Sequence, residues 1–204
     1  NGNCPGADGT PGNPYCTIQE GINHVATGGT VHVAAGTYTE NIVVNKSATL
    51  EGAGCGLTTV YPAASNPVCG PGSLCNGAAS NIILVKANNV TIHGFTLDGD
   101  NPGITSGVVR HGADLDARNG IITNHLVGIY QNLVVHDTVV KNIYLRGMYA
   151  SSGGSLNFNH HTVPHVQAST SPIATFNFSG RGVFDSNVVS AAGAAPASTN
   201  PPPP

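Results

Sequence analysis

Thr91-Ile92-His93-Gly94-Phe95-Thr96-Leu97 aligns without gaps with three later segments: Val134-Val135-His136-Asp137-Thr138-Val139-Val140, Asn157-Phe158-Asn159-His160-His161-Thr162-Val163 and Val183-Phe184-Asp185-Ser186-Asn187-Val188-Val189. The second position is always apolar (Ile92, Val135, Phe158, Phe184) and the third always polar (His93, His136, Asn159, Asp185). Side chains alternate between the faces of a strand, so this register predicts one column stacked inward and one outward. The anchors lie 43, 23 and 26 residues apart. A coil of about 22 to 26 residues fits the last two, within the range of solenoid periods. The first spacing then predicts two coils, with an unaligned middle coil near Arg110 to Ile122.

The same rhythm extends upstream. Val31 and Val33 flank His32, Ile42 and Val44 flank Val43, and Leu50 precedes Gly52-Ala53-Gly54. Such strands, about three to five residues each, are too short for a sandwich. Thr17-Ile18-Gln19-Glu20 is a capping box, and Ile18, Ile22 and Val25 share one helical face. This predicts a cap helix over 17–27, closed by Gly28-Gly29, covering the open end of the core. Residues 1–16 read as a turn-rich loop and 17–190 as an all-β, right-handed parallel β-helix. Residues 61–80 read as a loop insertion, and the Ala/Pro-rich stretch 191–204 as a tail or linker.

Composition agrees with this class and removes others. Forty per cent of residues are hydrophobic and only 8% charged, with 27 glycines to turn the chain. The net charge is −3 with seven Lys and Arg and no basic run, so no nucleic-acid partner is expected. No apolar stretch approaches the roughly 18 residues of a membrane span. The chain opens Asn1-Gly2-Asn3-Cys4, without Met or a signal peptide, as a processed or excised mature region would. The five cysteines all fall within the first 75 residues. Cys4 with Cys16, and Cys69 with Cys75, are the expected disulfides, which leaves Cys55 as a buried thiol or an intermolecular link. Together they point to an extracellular or cell-surface setting.

The run from Cys16-Thr17-Ile18-Gln19-Glu20 through Gly29-Thr30-Val31-His32-Val33-Ala34-Ala35-Gly36-Thr37-Tyr38-Thr39-Glu40-Asn41-Ile42 to Leu50-Glu51-Gly52-Ala53-Gly54 resembles the opening of the pectin-lyase-like superfamily. Pectin methylesterases and many microbial surface β-helix repeat proteins share this entrance. The resemblance covers residues 16–54 in detail and the rest as repeat rhythm. It implies the fold and is silent on activity. The segments that mark pectin methylesterases, polygalacturonases and pectate lyases in this superfamily are missing from the sequence.

The best chemical constellation is Asp98, Asp100, Asp114 and Asp116 with Arg110, Arg118 and Lys141. The carboxylates are oxygen ligands of the kind Ca²⁺ takes, and one of the three cations would serve as base in the β-elimination of a uronate. The plain alternative is that Asp, Gly and Asn are ordinary turn residues. No cofactor is required by the sequence. Tyr130, Tyr144 and Tyr149 are the candidate platform for a sugar ligand, against a packing role. His160 and His161 point to opposite faces and so do not share a metal easily, even with His165 nearby. The stacked His93 and His136 make the surface pH-sensitive in the range of an ordinary imidazole. Glycosylation sequons begin at Asn45, Asn89 and Asn177.

Three functions fit these residues. The first is a structural, self-assembling surface module, and the second a segment of a longer adhesin or filament, with neighbouring domains as partners. The third is a protein that binds or cleaves polysaccharide, in the manner of a Ca²⁺-dependent polyuronate lyase. The missing signatures favour the first two over an enzyme.

Overall fold

The computed structural model describes residues 4–150, 154–160, 162–164, 166, 173–177 and 181–190. The tail 191–204 lies outside them. After helix α1 (Ile18–His24), the chain winds through stacked coils. Coil 1 holds β1 (Thr30–Val33), β2 (Gly36–Thr39) and β3 (Ile42–Val44); coil 2 holds β4 (Ala48–Gly52), β5 (Thr58–Tyr61) and β6 (Asn81–Val85). Coil 3 holds β7 (Val90–His93), β8 (Thr96–Asp98), a small hairpin of β9 (Val109–Arg110) and β10 (Ala113–Asp114), and β11 (Asn119–Thr123). Coil 4 is β12 (Leu133–His136), β13 (Val139–Lys141) and β14 (Arg146–Ala150). Then come β15 (Ser155–Asn159), β16 (Thr162–Pro164) and β17 (Ile173–Asn177), followed by β18 (Arg181–Asp185) and β19 (Val188–Ser190).

These strands form three parallel sheets. Sheet I runs β1-β4-β7-β12-β15-β18, sheet II β2-β5-β8-β13-β16-β19, and sheet III β3-β6-β11-β14-β17. This is a right-handed parallel β-helix with a short N-terminal helix. The sheets turn apolar columns inward. In sheet I, Val31, Leu50, Ile92, Val135 and Phe158 stack in register, and Phe184 continues the register. Val60, Leu97 and Val140 line sheet II, and Ile42, Ile83, Ile121 and Met148 line sheet III, all buried in one core. Each buried aliphatic side chain contributes about 1.5–3 kcal/mol. Strand stacking also brings backbones close: a Cβ on Gly52 or Gly94 would land on the other's carbonyl oxygen.

The predicted inward and outward columns are both present. The coil count is not. Ile92 pairs directly with Val135, so the 43-residue spacing is one coil, not two. The surplus is insertion. Residues 99–118 leave between β8 and β11, and Arg110 belongs to a hairpin whose turn residues His111 and Gly112 both have positive φ. Tyr61, assigned to the first insertion, still pairs in β5, so that loop spans 62–80.

Helix α1 starts as predicted, with Thr17 and Glu20 bonded reciprocally. It ends at His24, short of residue 27, because Val25 turns extended and packs against the core. Buried Glu40 accepts from the backbone N–H groups of Ile18 (2.8 Å) and Gln19 (3.0 Å). The Gln19 side chain bonds both backbone groups of Val43, as a neighbouring strand would. Lys46 donates to the carbonyls of Asn23 and Val25 at the other end of the helix. The cap is thereby tied to the first coil at both ends. Among the described residues no helix is long and apolar enough to cross a membrane.

Candidate functional site

The two insertions leave the same edge of the prism, between sheets II and III, on adjacent coils, and they bind each other. Arg118 is only 5% exposed. Its guanidinium donates to the carbonyls of Ser73 (3.2 Å), Pro67 (2.6 Å), Gly70 (2.9 Å) and Gly72 (2.7 Å). Those carbonyls belong to the first insertion, and three of them lie in its loop closed by the Cys69–Cys75 disulfide, whose Cα atoms are 5.8 Å apart. Asn41 and Asn101 fasten the same loop through Ala63, Ala64 and Pro62. The second disulfide, Cys4–Cys16, staples the N-terminal loop.

The four predicted carboxylates gather here, and each has work of its own. Asp98 pairs with Lys141 (3.0 Å) and accepts from Asn142 (2.7 Å). Asp114 accepts from the backbone and hydroxyl of Ser106, which lowers its pKa. Fully buried Asp116 accepts from the Asn101 backbone (3.0 Å), and its burial raises its pKa. Asp100 is also raised, first by burial and then by the neighbouring Asp98. Because residues 99–118 form one insertion, Asp98, Asp100, Asp114 and Asp116 share a coil instead of facing a cation across successive coils. Among the described residues no three His, Cys, Asp or Glu side chains converge as metal ligands. Arg110 bonds only its neighbour's carbonyl, that of Val109.

The tyrosines do not form a platform. Tyr149 is buried against Leu74, Ile122 and Leu84, where the first insertion covers sheet III. Half-buried Tyr144 lies beneath the Arg118 guanidinium, 5.8 Å from ring centre to Cζ. Tyr130 sits apart in the turn before β12. Sequence reasoning missed Arg146, whose guanidinium lies over the Tyr149 ring at 4.8 Å. Its Nε and one terminal nitrogen are buried with no hydrogen-bond partner, and burial lowers its pKa. Its signal was weak: a lone Arg opening a short strand.

The outward column of sheet I is polar throughout: His32, Glu51, His93, His136, Asn159 and Asp185. His32 pairs with Glu51 at 2.9 Å, and His136 with Asp137 at 2.8 Å. The His93 and His136 rings stack 4.5 Å apart. Partial burial, then His136, lowers the pKa of His93. His160 is exposed beside Asn159, while His161 and His165 lie outside the described residues. Cys55 is exposed, not buried, because it sits in the turn joining sheets I and II. Its thiol donates to the Asp137 carbonyl (2.8 Å), and desolvation raises its pKa. A cleft of about 810 Å³ lies between the N-terminal loop and the first coils, with Tyr15, His24, Tyr38 and Glu51 in its walls.

This architecture is a right-handed parallel β-helix, and comparison gives the family. The profile described as "Protein of unknown function (DUF1565)" matches residues 1–189, and the chain belongs to that family. The fold is similar to pectin methylesterase from Yersinia enterocolitica (TM-score 0.58, 16% identity), covering 86% of this chain and 54% of that one. It is likewise similar to pectin methylesterase PemA from Erwinia chrysanthemi (TM-score 0.60, 14% identity), covering 88% and 52%. At these identities the likeness concerns fold alone. A stretch of 92 residues is 35% identical to a cell surface glycoprotein of Methanothermus fervidus, covering 44% of this chain and 13% of that protein. The chain therefore spans about half the length of these esterases and a small part of the glycoprotein.

Proposed function

We propose that the chain is a structural module of a cell-surface protein, a stiff β-helical body that associates with copies of itself or with neighbouring segments. One observation carries this reading: Arg118, the cation beside the carboxylates, is buried and spends four of its N–H donors on loop carbonyls. A catalytic base needs a free lone pair within reach of its substrate. The likeness to a cell surface glycoprotein supports the location. Low charge and the flat outer column Thr49, Thr91, Val134 and Asn157 on sheet I support close packing between copies. The test joins two measurements on the purified chain. Incubation with pectin and polygalacturonate, with and without Ca²⁺, should release neither methanol nor unsaturated uronate. Light scattering with electron-microscope imaging should show a defined oligomer or filament. Turnover would overturn the structural reading, and a clean monomer would overturn its assembly part.

Partly exposed Arg146 favours a second reading, binding of an acidic polysaccharide, with a uronate carboxylate pairing with the part of the guanidinium open to solvent. Calorimetric titration with oligogalacturonate decides it. Binding lost in Arg146→Met supports this reading, and no binding by the native chain removes it.

A further inference from the structure

Two of the three sequons, 45–47 and 89–91, are far apart in sequence and adjacent in space. Asn45 directly follows β3, where the chain leaves sheet III for sheet I. Asn89 directly precedes β7, at the same crossing one coil on. The other two edges of the prism, including the one that carries both insertions, hold no sequon. Asn45 and Asn89 are exposed. They are also neighbours: the Ser47 hydroxyl donates to the Asn89 carbonyl (3.0 Å).

We infer that this edge is an N-glycosylation site, with oligosaccharides carried at Asn45 and Asn89 on adjacent coils. The inference rests on the cell-surface reading, since it needs passage through a secretory membrane. At each site the side-chain Nδ2 attacks the anomeric carbon of a polyisoprenyl-phosphate-linked oligosaccharide supplied by a membrane oligosaccharyltransferase. The new C–N bond replaces the anomeric C–O bond, the lipid phosphate leaves with that electron pair, and the proton lost from Nδ2 passes to the enzyme's base. The folded geometry tolerates the product at Asn89. Its Oδ1 accepts from Asn132 Nδ2 (2.8 Å), and a glycosylated amide keeps that oxygen. The backbone there is left-handed (φ 55°), a turn conformation that Asn adopts readily and that suits a site at a corner of the coil. Glycans so placed shield the rims of sheets I and III and leave the insertion edge, across the prism, bare.

The test uses the full chain from cells that produce it. Protease shaving of intact cells reads location, and peptide mass spectrometry reads occupancy. Peptides containing Asn45 and Asn89 should carry an oligosaccharide mass on Asn. Thr91→Ala should abolish it at Asn89 while leaving the Asn89–Asn132 bond, and Thr91→Ser should retain it. Surface-exposed protein with both asparagines unmodified would overturn the track and spare the location. Glycosylated protein protected from shaving would overturn the location and spare the track, and unmodified protected protein would overturn both.

Discussion

Arg118 shows how one residue can do the work of an element. A buried guanidinium with no carboxylate beside it costs several kcal/mol in desolvation, and charge-assisted bonds to four carbonyls offset that cost. Replacing it strands those carbonyls in a site that excludes water. Arg118→Met should therefore lower stability by about 3 kcal/mol in urea unfolding and expose the amides of residues 67–73 to hydrogen exchange. Arg118→Lys should recover only part of this, because an ammonium lacks the planar fork. A wild-type exchange pattern in Arg118→Met would mean the loop is held by its disulfide alone. None of this was legible beforehand. Cys69 and Cys75 announce their loop by flanking Gly-Pro-Gly, whereas Arg118 reaches backbone carbonyls 45 to 51 residues away, which leave no mark in side-chain identity.

At the scale of elements, α1 is seven residues long, too short to stand alone in water. Ile18 and Ile22 bury its inner face, and the free N–H groups of its first turn are met by Thr17 and Glu40. Thr17→Ala removes a neutral cap and should cost about 1 kcal/mol. Glu40→Ala removes a buried carboxylate that accepts two N–H groups, and should cost about 2 kcal/mol. Urea midpoints of both variants and their double mutant measure this, and equal costs would mean that Glu40 merely fills space. The start of α1 was readable because a capping box is local; its end was not, because Val25 leaves the helix for a core contact. The solenoid divides the same way. Columns such as Ile92 over Val135 over Phe158 are written in the alignment. The coil count is not, because insertions of any length leave the registers above and below unchanged, and residues 99–118 carried no strand pattern to betray that they were surplus.

Across the whole molecule, titratable groups are segregated by face. The carboxylates whose pKa burial raises, Asp100 and Asp116, sit at the insertion edge, and a row of imidazoles lines sheet I. Their pH windows consequently differ. The pKa of His93 is lowered by burial and by His136, so the folded chain resists a proton that the unfolded chain accepts near pH 6.5. Stability from this group is complete above that value and is lost as pH falls through it. Asp100 and Asp116 are raised, so the folded chain binds their protons more readily than the unfolded chain does. Their contribution therefore grows on acidification, but only as pH approaches the carboxylate range near 4. Between pH 7.5 and 5.5 the sheet I column should set the slope, and the melting temperature should fall. Glu51 and Asp137 beside the two rings limit the fall without reversing it, since desolvation and His136 outweigh them at His93. His93→Asn breaks the ring stack, removes the titrating group and should flatten the slope. Thermal melts of both proteins at the two pH values test this. An undiminished fall in His93→Asn would move the pH response away from this column, to histidines outside the stack.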